Sequence, residues 1–404
     1  MSRLDELIAE LCPNGVEYKK LGEIATISRG GNLQKKDFCS EGVPCIHYGQ
    51  IYTRYGLFAD KTFTFIGEDC AKKQKLAYPN DIVMAVTSEN IEDVCKCVAW
   101  LGDGAVAVSG HTAIIHHSQN AKYLAYYFHT EMFAAQKRKL VHGTKVMEVT
   151  PDTLNAVIIP VPPLPVQNEI VKILDNFTEL TAELTAELTA RRKQYEYYLE
   201  SIIVSCKNAQ KIKLSEICKI YDGTHQTPQY TNTGVKFVSV ENIDALYNTE
   251  KYISVEAFER YKAKPQIGDI LMTRITAGII GKCTVIDRDE PLAYYVSLAL
   301  LRPNHDVLNS RYLKYYIESG YGRKELRRYI LTDATPPKIN KDAIGKVNIL
   351  LPPLAEQERV VTILDRFDAL CNDLTSGLPA EIEARQRQYE YYRDKLLTFK
   401  EASA

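Results

Sequence analysis

Val161-Pro-Pro-Leu-Pro-Val-Gln-Asn-Glu-Ile-Val-Lys-Ile-Leu-Asp-Asn-Phe177 returns 190 residues on as Leu351-Pro-Pro-Leu-Ala-Glu-Gln-Glu-Arg-Val-Val-Thr-Ile-Leu-Asp-Arg-Phe367. An internal repeat of this kind decides the architecture before any local reading. Gln194-Tyr-Glu-Tyr-Tyr198 also recurs verbatim, as Gln388-Tyr-Glu-Tyr-Tyr392. Upstream, Leu21-Gly-Glu-Ile-Ala-Thr-Ile-Ser-Arg-Gly30 aligns with Leu214-Ser-Glu-Ile-Cys-Lys-Ile-Tyr-Asp-Gly223, and Pro79-Asn-Asp-Ile-Val-Met84 with Ile267-Gly-Asp-Ile-Leu-Met272. Lys122-Tyr-Leu-Ala-Tyr-Tyr127 aligns with Arg311-Tyr-Leu-Lys-Tyr-Tyr316. The matches fall at framework positions and the residues between them diverge, which points to one scaffold carrying two different surfaces.

Each copy reads as a globular part followed by a helical segment. In the first segment Val166, Ile170, Ile173, Phe177, Leu180, Leu184 and Leu188 step by four and three, the apolar stripe of one helix face. Two consecutive steps of four, into Leu184 and then Leu188, make a stutter inside the tandem Thr181-Ala-Glu-Leu-Thr-Ala-Glu-Leu188. The second stripe runs through Val360, Ile363, Phe367, Leu370, Leu374 and Leu378, with Gly377 and Pro379 expected to break or kink it. The stripes most simply bury each other as an antiparallel pair, and about 40 helical residues would run about 60 Å, a spacer.

The globular parts read as mixed α and β. Thr62-Phe-Thr-Phe-Ile66, Asp81-Ile-Val-Met-Ala-Val86, Gly104-Ala-Val-Ala-Val-Ser109 and Val235-Lys-Phe-Val-Ser-Val240 are short strand candidates between turn residues. One helix is expected in each, over 121–140 and 310–329. The expected segments are 1–160, a helical spacer over 161–209, a second globular domain over 210–350 and a helical spacer over 351–404. The fold class is α+β: two tandem mixed α/β domains separated by long antiparallel coiled-coil helices, with a pseudo-two-fold relation.

With 45% apolar and 25% charged residues among 404, the chain can bury real cores in two or more domains. No run approaches the roughly 18 apolar residues of a membrane helix, and Asp5 and Glu6 stand where a signal peptide would be apolar. A cytoplasmic protein is expected. Fifty Lys+Arg against 51 Asp+Glu leave a net charge of −1, so no global field draws the chain to a polyanion. Local patches or a basic partner would have to help.

Most catalytic readings fail on their motifs. The Pro-Pro pairs follow Val161, Thr335 and Leu351, not the Asn or Asp that an adenine methyltransferase would place there. Gly278-Ile-Ile-Gly281-Lys282-Cys283 lacks the spacing and the Ser/Thr of a phosphate loop. Gly102-Asp-Gly104 lacks the third glycine of a dinucleotide fingerprint, and no Gly-x-Ser-x-Gly elbow occurs. Ten scattered cysteines show no disulfide framework. Cys95-Lys96-Cys97 near His111, His116 and His117 resembles a metal site, but alternating residues of a buried strand fit it better. His225 near Asp222 could pair as base and acid, and a turn residue or base-edge contact fits better. No catalytic, cofactor-binding or metal site is assigned.

The chemistry that remains suits nucleic acid. Lys35 and Lys36, Lys137, Arg138 and Lys139, and Arg323, Arg327 and Arg328 are basic clusters able to neutralise phosphates, as are Lys72, Lys73 and Lys75. Turn-rich segments supply base-reading types: Arg29 and Asn32; His47, Tyr48 and Gln50; Thr224, His225, Gln226 and Thr227; and Arg274. Arg matches the guanine edge, and Asn or Gln the adenine edge. The tyrosines of the two Gln-Tyr-Glu-Tyr-Tyr motifs suit helix packing or partner contact.

In this order, and twice, the Pro-Pro-Leu segments with Gln167 and Gln357, the Ile-Leu-Asp runs at 173–175 and 363–365 and the Gln-Tyr-Glu-Tyr-Tyr motifs resemble the specificity (S) subunit of type I restriction-modification systems. The resemblance covers essentially the whole chain, and the Thr-Ala-Glu-Leu tandem is similar to a length-variable spacer of one subgroup. It implies two target recognition domains, each reading half of a split site in double-stranded DNA, and helices that dock two modification (M) subunits. In that family the M subunits carry S-adenosylmethionine and methylate adenine, while restriction (R) subunits add ATP-driven translocation and cleavage. The chain itself would need no cofactor and would not be an enzyme. A self-contained DNA methyltransferase or nuclease, and a coiled-coil adaptor without a DNA role, are the competing readings.

Overall fold

The computed structural model describes residues 2–206, 208–372 and 377–402. It divides into two compact units: Met1–Leu184 with Ile382–Ala404, and Thr185–Glu381. In unit 1 the main sheet runs in the order 25–29, 112–117, 82–85, 97–100, 58–59, antiparallel except for the last pair. In unit 2 the order is 218–222, 298–303, 270–273, 283–285, antiparallel throughout. Both sheets are four aligned strands, with one short strand added in unit 1.

Alternation along these strands builds two layers at once. Ile82 and Met84 face a core shared with the helices, while Val83 and Ala85 face a core shared with a second sheet. Ile270 and Met272 divide from Leu271 in the same way. The second sheet contains a parallel pair in both units, 43–46 with 106–108 and 235–238 with 292–294. Each globular part is therefore a helical layer, a main sheet and a second sheet, the second sheet having five strands in unit 1 and three in unit 2. The expected strands are present in shortened form, as Thr64–Ile66, Ile82–Ala85, Val106–Val108 and Val235–Val238.

The single helix expected in each domain is two. Ala121–Tyr127 and Glu131–Leu140 are separated by a cap in which Thr130 Oγ1 accepts the Phe133 N–H at 3.2 Å. Ser310–Glu318 and Gly320–Arg327 are separated by Ser319, whose Oγ accepts the Gly322 N–H at 3.0 Å. A hydroxyl that satisfies an orphan N–H starts a new helix where the apolar period alone would run on.

The long helix Leu164–Val204 is continuous through both Thr-Ala-Glu-Leu units. In the second copy the helices are Leu354–Asn372 and Leu378–Leu396; Pro379 sits in the first turn of the latter, where a missing N–H costs nothing. Leu374, part of the second stripe, lies outside the described residues. Within unit 1, Phe177 stacks on Tyr392 at 5.5 Å and Tyr126 meets Tyr389 edge-on. Within unit 2, Tyr198 and Tyr195 pack on Phe367, and Arg192 reaches the Cys371 carbonyl, so these two helical stretches run antiparallel. Residues near the end of the chain also close unit 1: Val16 bridges Glu401, and Leu397 is fully buried.

The repeated motifs form one polar clamp made twice. Gln167, fully buried, donates to the Pro162 carbonyl at 2.8 Å and to Gln119 Oε1 at 2.7 Å, and accepts the Asn120 N–H at 3.0 Å. Gln357 donates to the Pro352 and Val307 carbonyls at 2.8 Å each and accepts the Asn309 N–H at 2.8 Å. Tyr123 and Tyr127 donate to the Pro160 and Ile158 carbonyls, and Tyr312 and Tyr316 to the Leu350 and Asn348 carbonyls. Tyr126 donates to Asp175 at 2.7 Å and Tyr315 to Asp365 at 2.6 Å. Burial raises both phenols far above their usual range, so they stay protonated donors.

Gln357→Leu keeps the volume and strands two carbonyls and an N–H. It is expected to destabilise the protein by about 2–4 kcal/mol, read by denaturant unfolding; a change below about 0.5 kcal/mol would show the clamp to be incidental.

Two histidines in unit 1 are held neutral. Burial lowers His117 and His129 to about 4 from 6.5. His129 Nδ1 donates to the Ala125 carbonyl at 2.8 Å with Arg393, Lys96 and Lys137 around it, while Asp81 opposes the shift of His117. The unfolded chain takes up these protons first, so their contribution is whole above pH 6.5 and is lost as the pH falls towards 4. By pH 5 that is about 2 kcal/mol per histidine. The melting temperature of His129→Gln should fall less between pH 7 and pH 5 than that of the unsubstituted chain; an equal fall would refute this origin.

Candidate nucleic-acid interface

In unit 1 the strand Ala25–Arg29 runs out at Gly30, where a Cβ would lie 2.1 Å from the Ser109 carbonyl oxygen. Gly223 makes the same approach in unit 2, 2.4 Å from the Tyr295 carbonyl oxygen. The glycine that ends both aligned decapeptides thus marks a chain crossing that no side chain would fit. Just beyond it, Gly31 bridges Ser109 and Thr224 bridges Tyr295.

The crossing in unit 1 gathers Arg29, Tyr48 and His111. The Tyr48 N–H donates to Ser109 Oγ at 2.9 Å, and its ring lies 4.6 Å from His47 and 4.9 Å from His111. Arg29 Nε donates to the Gly110 carbonyl at 2.9 Å, and its guanidinium pairs with Glu148 at 3.1 Å. Asn32, Lys35 and Lys36 are exposed on the chain that follows. The sequence candidates at 29–32 and at Tyr48 are therefore brought together.

Other candidates point inward. His47 Nδ1 accepts the Gly49 N–H and Gln50 Oε1 accepts the His47 N–H, both at 3.2 Å, a reciprocal cap on Tyr48–Thr53. Burial lowers the His47 pKa, in keeping with a neutral acceptor. Gln50 also accepts from the Thr64 hydroxyl at 3.2 Å. Lys137 is buried, donates to the Glu92 and Val94 carbonyls at 3.0 Å, and has its pKa lowered by burial. Arg138 pairs with Glu131 at 2.6 Å, and Lys139 is exposed.

In unit 2, Arg274 is 5% exposed; its guanidinium pairs with Asp222 and its Nε donates to the Ile339 carbonyl at 3.2 Å. Asp222 is thereby committed to Arg274 rather than to His225. His225, Gln226 and Thr227 are exposed, and the Thr224 hydroxyl donates to the Gln226 carbonyl at 3.3 Å. Arg323 and Arg327 are exposed on their helix, and Arg328 pairs with Glu325 at 2.8 Å.

Two elements escaped the sequence reading. A hairpin over 142–148 pairs with Thr87–Ser88 beside Arg29, and one over 331–338 pairs with Ile275 beside Arg274. Gly143-Thr144 and Thr332-Asp333 are the turn signals that could have marked them, but neither is flanked by an alternating apolar run.

The Cys-x-Cys pair does not alternate along one strand. Cys97 opens the strand Cys97–Trp100, while Cys95 precedes it at φ 67°, in a turn and not in the strand. Both are buried, and burial pushes the Cys95 thiol up to about 12. Among the described residues no group of three His, Cys, Asp or Glu is placed to hold a metal ion, and no helix is long and apolar enough to cross a membrane.

The Type I restriction modification DNA specificity domain matches residues 13–191 and again 207–384. A putative type I restriction enzyme specificity subunit of Haemophilus influenzae is 32% identical over 95% of this chain and 96% of its own length. The EcoR124I/EcoR124II specificity subunit of Escherichia coli is 34% identical over 58% of this chain and 60% of its own. Among solved structures, a chain from a study of complex assembly and conformational transition of the type I R-M system superposes with TM-score 0.65 at 19% identity, covering 96% of this chain and 98% of that one. The S subunit from M. genitalium gives 0.55 at 14%, covering 95% and 96%. With one specificity domain matched in each half of its repeat, the chain belongs to the type I restriction-modification DNA specificity family.

Proposed function

We propose that this chain is the DNA-reading subunit of a type I modification complex, in which each unit reads one half of a bipartite target and partner subunits perform the methylation. The observation that carries this reading is the duplicated crossing at Gly30 and Gly223: a repeated frame with different exposed side chains around it. Asn32, Lys35, Lys36, Tyr48 and Lys139 in unit 1, and His225, Gln226, Thr227, Arg323 and Arg327 in unit 2, supply amide, aromatic and cationic contacts for bases and phosphates. The turned-in His47, Gln50 and Lys137 hold the loops that present them.

Two modification subunits dock on the helical segments. In each Gln-Tyr-Glu-Tyr-Tyr motif the second tyrosine is left outside while its neighbours pack: Tyr197 is 69% exposed and Tyr391 61%. Two like footholds suit two copies of one partner. A net charge of −1 is also consistent with a reader that shares its phosphate grip with that partner.

The Thr-Ala-Glu-Leu tandem is the ruler. One four-residue unit adds about 6 Å of helix and about 40° of rotation, comparable to one or two base pairs at about 3.4 Å each. Deleting 185–188 should shorten the unread gap in the methylated target by one or two base pairs while both half-site words persist, as read by methylation-site sequencing of cells carrying the complex. Altered words with an unchanged gap would reject the ruler.

A further inference from the structure

The hairpins over 142–148 and 331–338 stand at equivalent places and have matching feet. His142 and Glu148 exchange both backbone hydrogen bonds, at 3.0 and 2.9 Å, and Leu331 and Lys338 do the same at 2.8 and 3.3 Å. Each hairpin follows the second helix of its domain and pairs with the chain just after an aligned strand, Ile82–Ala85 or Ile270–Thr273.

In each unit a guanidinium–carboxylate pair lies between the glycine crossing and the hairpin's foot, though the two pairs are built differently. In unit 1 the arginine ends the strand and the acid is on the hairpin, Arg29 with Glu148. In unit 2 the aligned strand position is Asp222, and its partner Arg274 holds the hairpin's exit, donating from Nε to the Ile339 carbonyl and accepting the Ile339 N–H at 2.9 Å. In both copies an arginine at the end of a main-sheet strand holds the foot, through Glu148 in unit 1 and through the Ile339 backbone in unit 2.

The tips diverge. Unit 1 presents Gly143-Thr144-Lys145-Val146, with Val146 56% exposed. Its turn is built around Gly143 at φ +103°, where a Cβ would lie 2.0 Å from the Val146 carbonyl oxygen. Unit 2 presents Thr332-Asp333-Ala334-Thr335 followed by two prolines, one residue longer and with an acid in place of the lysine. A carboxylate at the tip of a polyanion-binding element is repelled by phosphates, but it is an acceptor for the cytosine amino group in the major groove. Lysine matches guanine O6 and N7, and an exposed aliphatic matches the thymine methyl.

We infer that the two hairpin tips are sequence-reading elements, each setting base choice within its own half-site, and that Arg29 and Arg274 are positioning residues that hold the feet. Resting on the DNA-reading function above, this assigns Asp333 to a G·C pair and Lys145 with Val146 to the other half-site.

The test uses the full complex with its modification subunit, read by methylation sequencing and by binding to single-base variants of the target. Asp333→Ala is expected to relax one G·C position in one half-site, roughly tenfold or more, and to leave the other half-site intact. Substituting alanine at Thr144, Lys145 and Val146 is expected to relax positions in the opposite half only. The untouched half reports that the variant has folded and assembled. Arg29→Ala should weaken the same positions as the unit 1 tip variant, with partial rescue by Arg29→Lys, which keeps the pair with Glu148. If the tip variants leave both words unchanged, or damage both halves alike, the hairpins are not the readers. If Arg29→Ala releases a base pair that the tip variant still reads, Arg29 itself touches that base. Either result leaves the bipartite reading standing, whereas an unsubstituted complex that modifies no two-part target would remove that reading instead.

Discussion

Everything outside the two glycine crossings depends on one buried amide per repeat. Where the Pro-Pro turn enters the long helix, a backbone carbonyl and an N–H are sealed from water, and Gln167 or Gln357 satisfies both with a single side chain. A buried backbone group without a partner is costly, so the glutamine fixes both the place and the direction in which the helix leaves the domain. Tyrosine hydroxyls then fasten Ala121–Tyr127 and Ser310–Glu318 to the strands Ile158–Pro160 and Asn348–Leu351 that lead into the next helix, and Asp175 or Asp365 fastens them to that helix. Because these contacts are directional, the frame stays the same while the loops vary.

This arrangement explains why the frame was legible in the sequence. A buried amide, a carboxylate and three tyrosine positions must each recur at fixed offsets, so Gln167 with Gln357 and Tyr123 with Tyr312 survive as visible repeats. The strands were legible as continuous apolar runs, such as Ile82-Val-Met-Ala85, because both faces of the main sheet are covered, with Val83 and Met84 in different cores. Thr130 and Ser319 were not, since a hydroxyl starts a helix without altering the apolar period.

The site was legible only in outline. Gly30 and Gly223 marked the place; Asn32 and His225 are exposed near it, while Tyr48 is half-buried against His47 and His111. Residue type could not tell a reader from a holder: His47, Gln50, Lys137 and Arg274 have the chemistry of base or phosphate contact, yet they cap a helix, satisfy carbonyls or pair with an acid. That difference is set by which way the backbone turns, and polar loops carry no period that reveals it. The two charge pairs, Arg29 with Glu148 and Asp222 with Arg274, could be recognised only once the strands were in place.

On the proposed reading, a duplicated frame with divergent tips makes one chain a holder of two different words, and the chemistry on DNA falls to subunits that dock on it. Single-molecule methylation sequencing of DNA from cells carrying this chain with its modification partner tests that most directly. The account predicts two short, different sequences separated by a gap of fixed length and free composition. One uninterrupted recognition sequence, or methylation by the purified chain with S-adenosylmethionine alone, would contradict it.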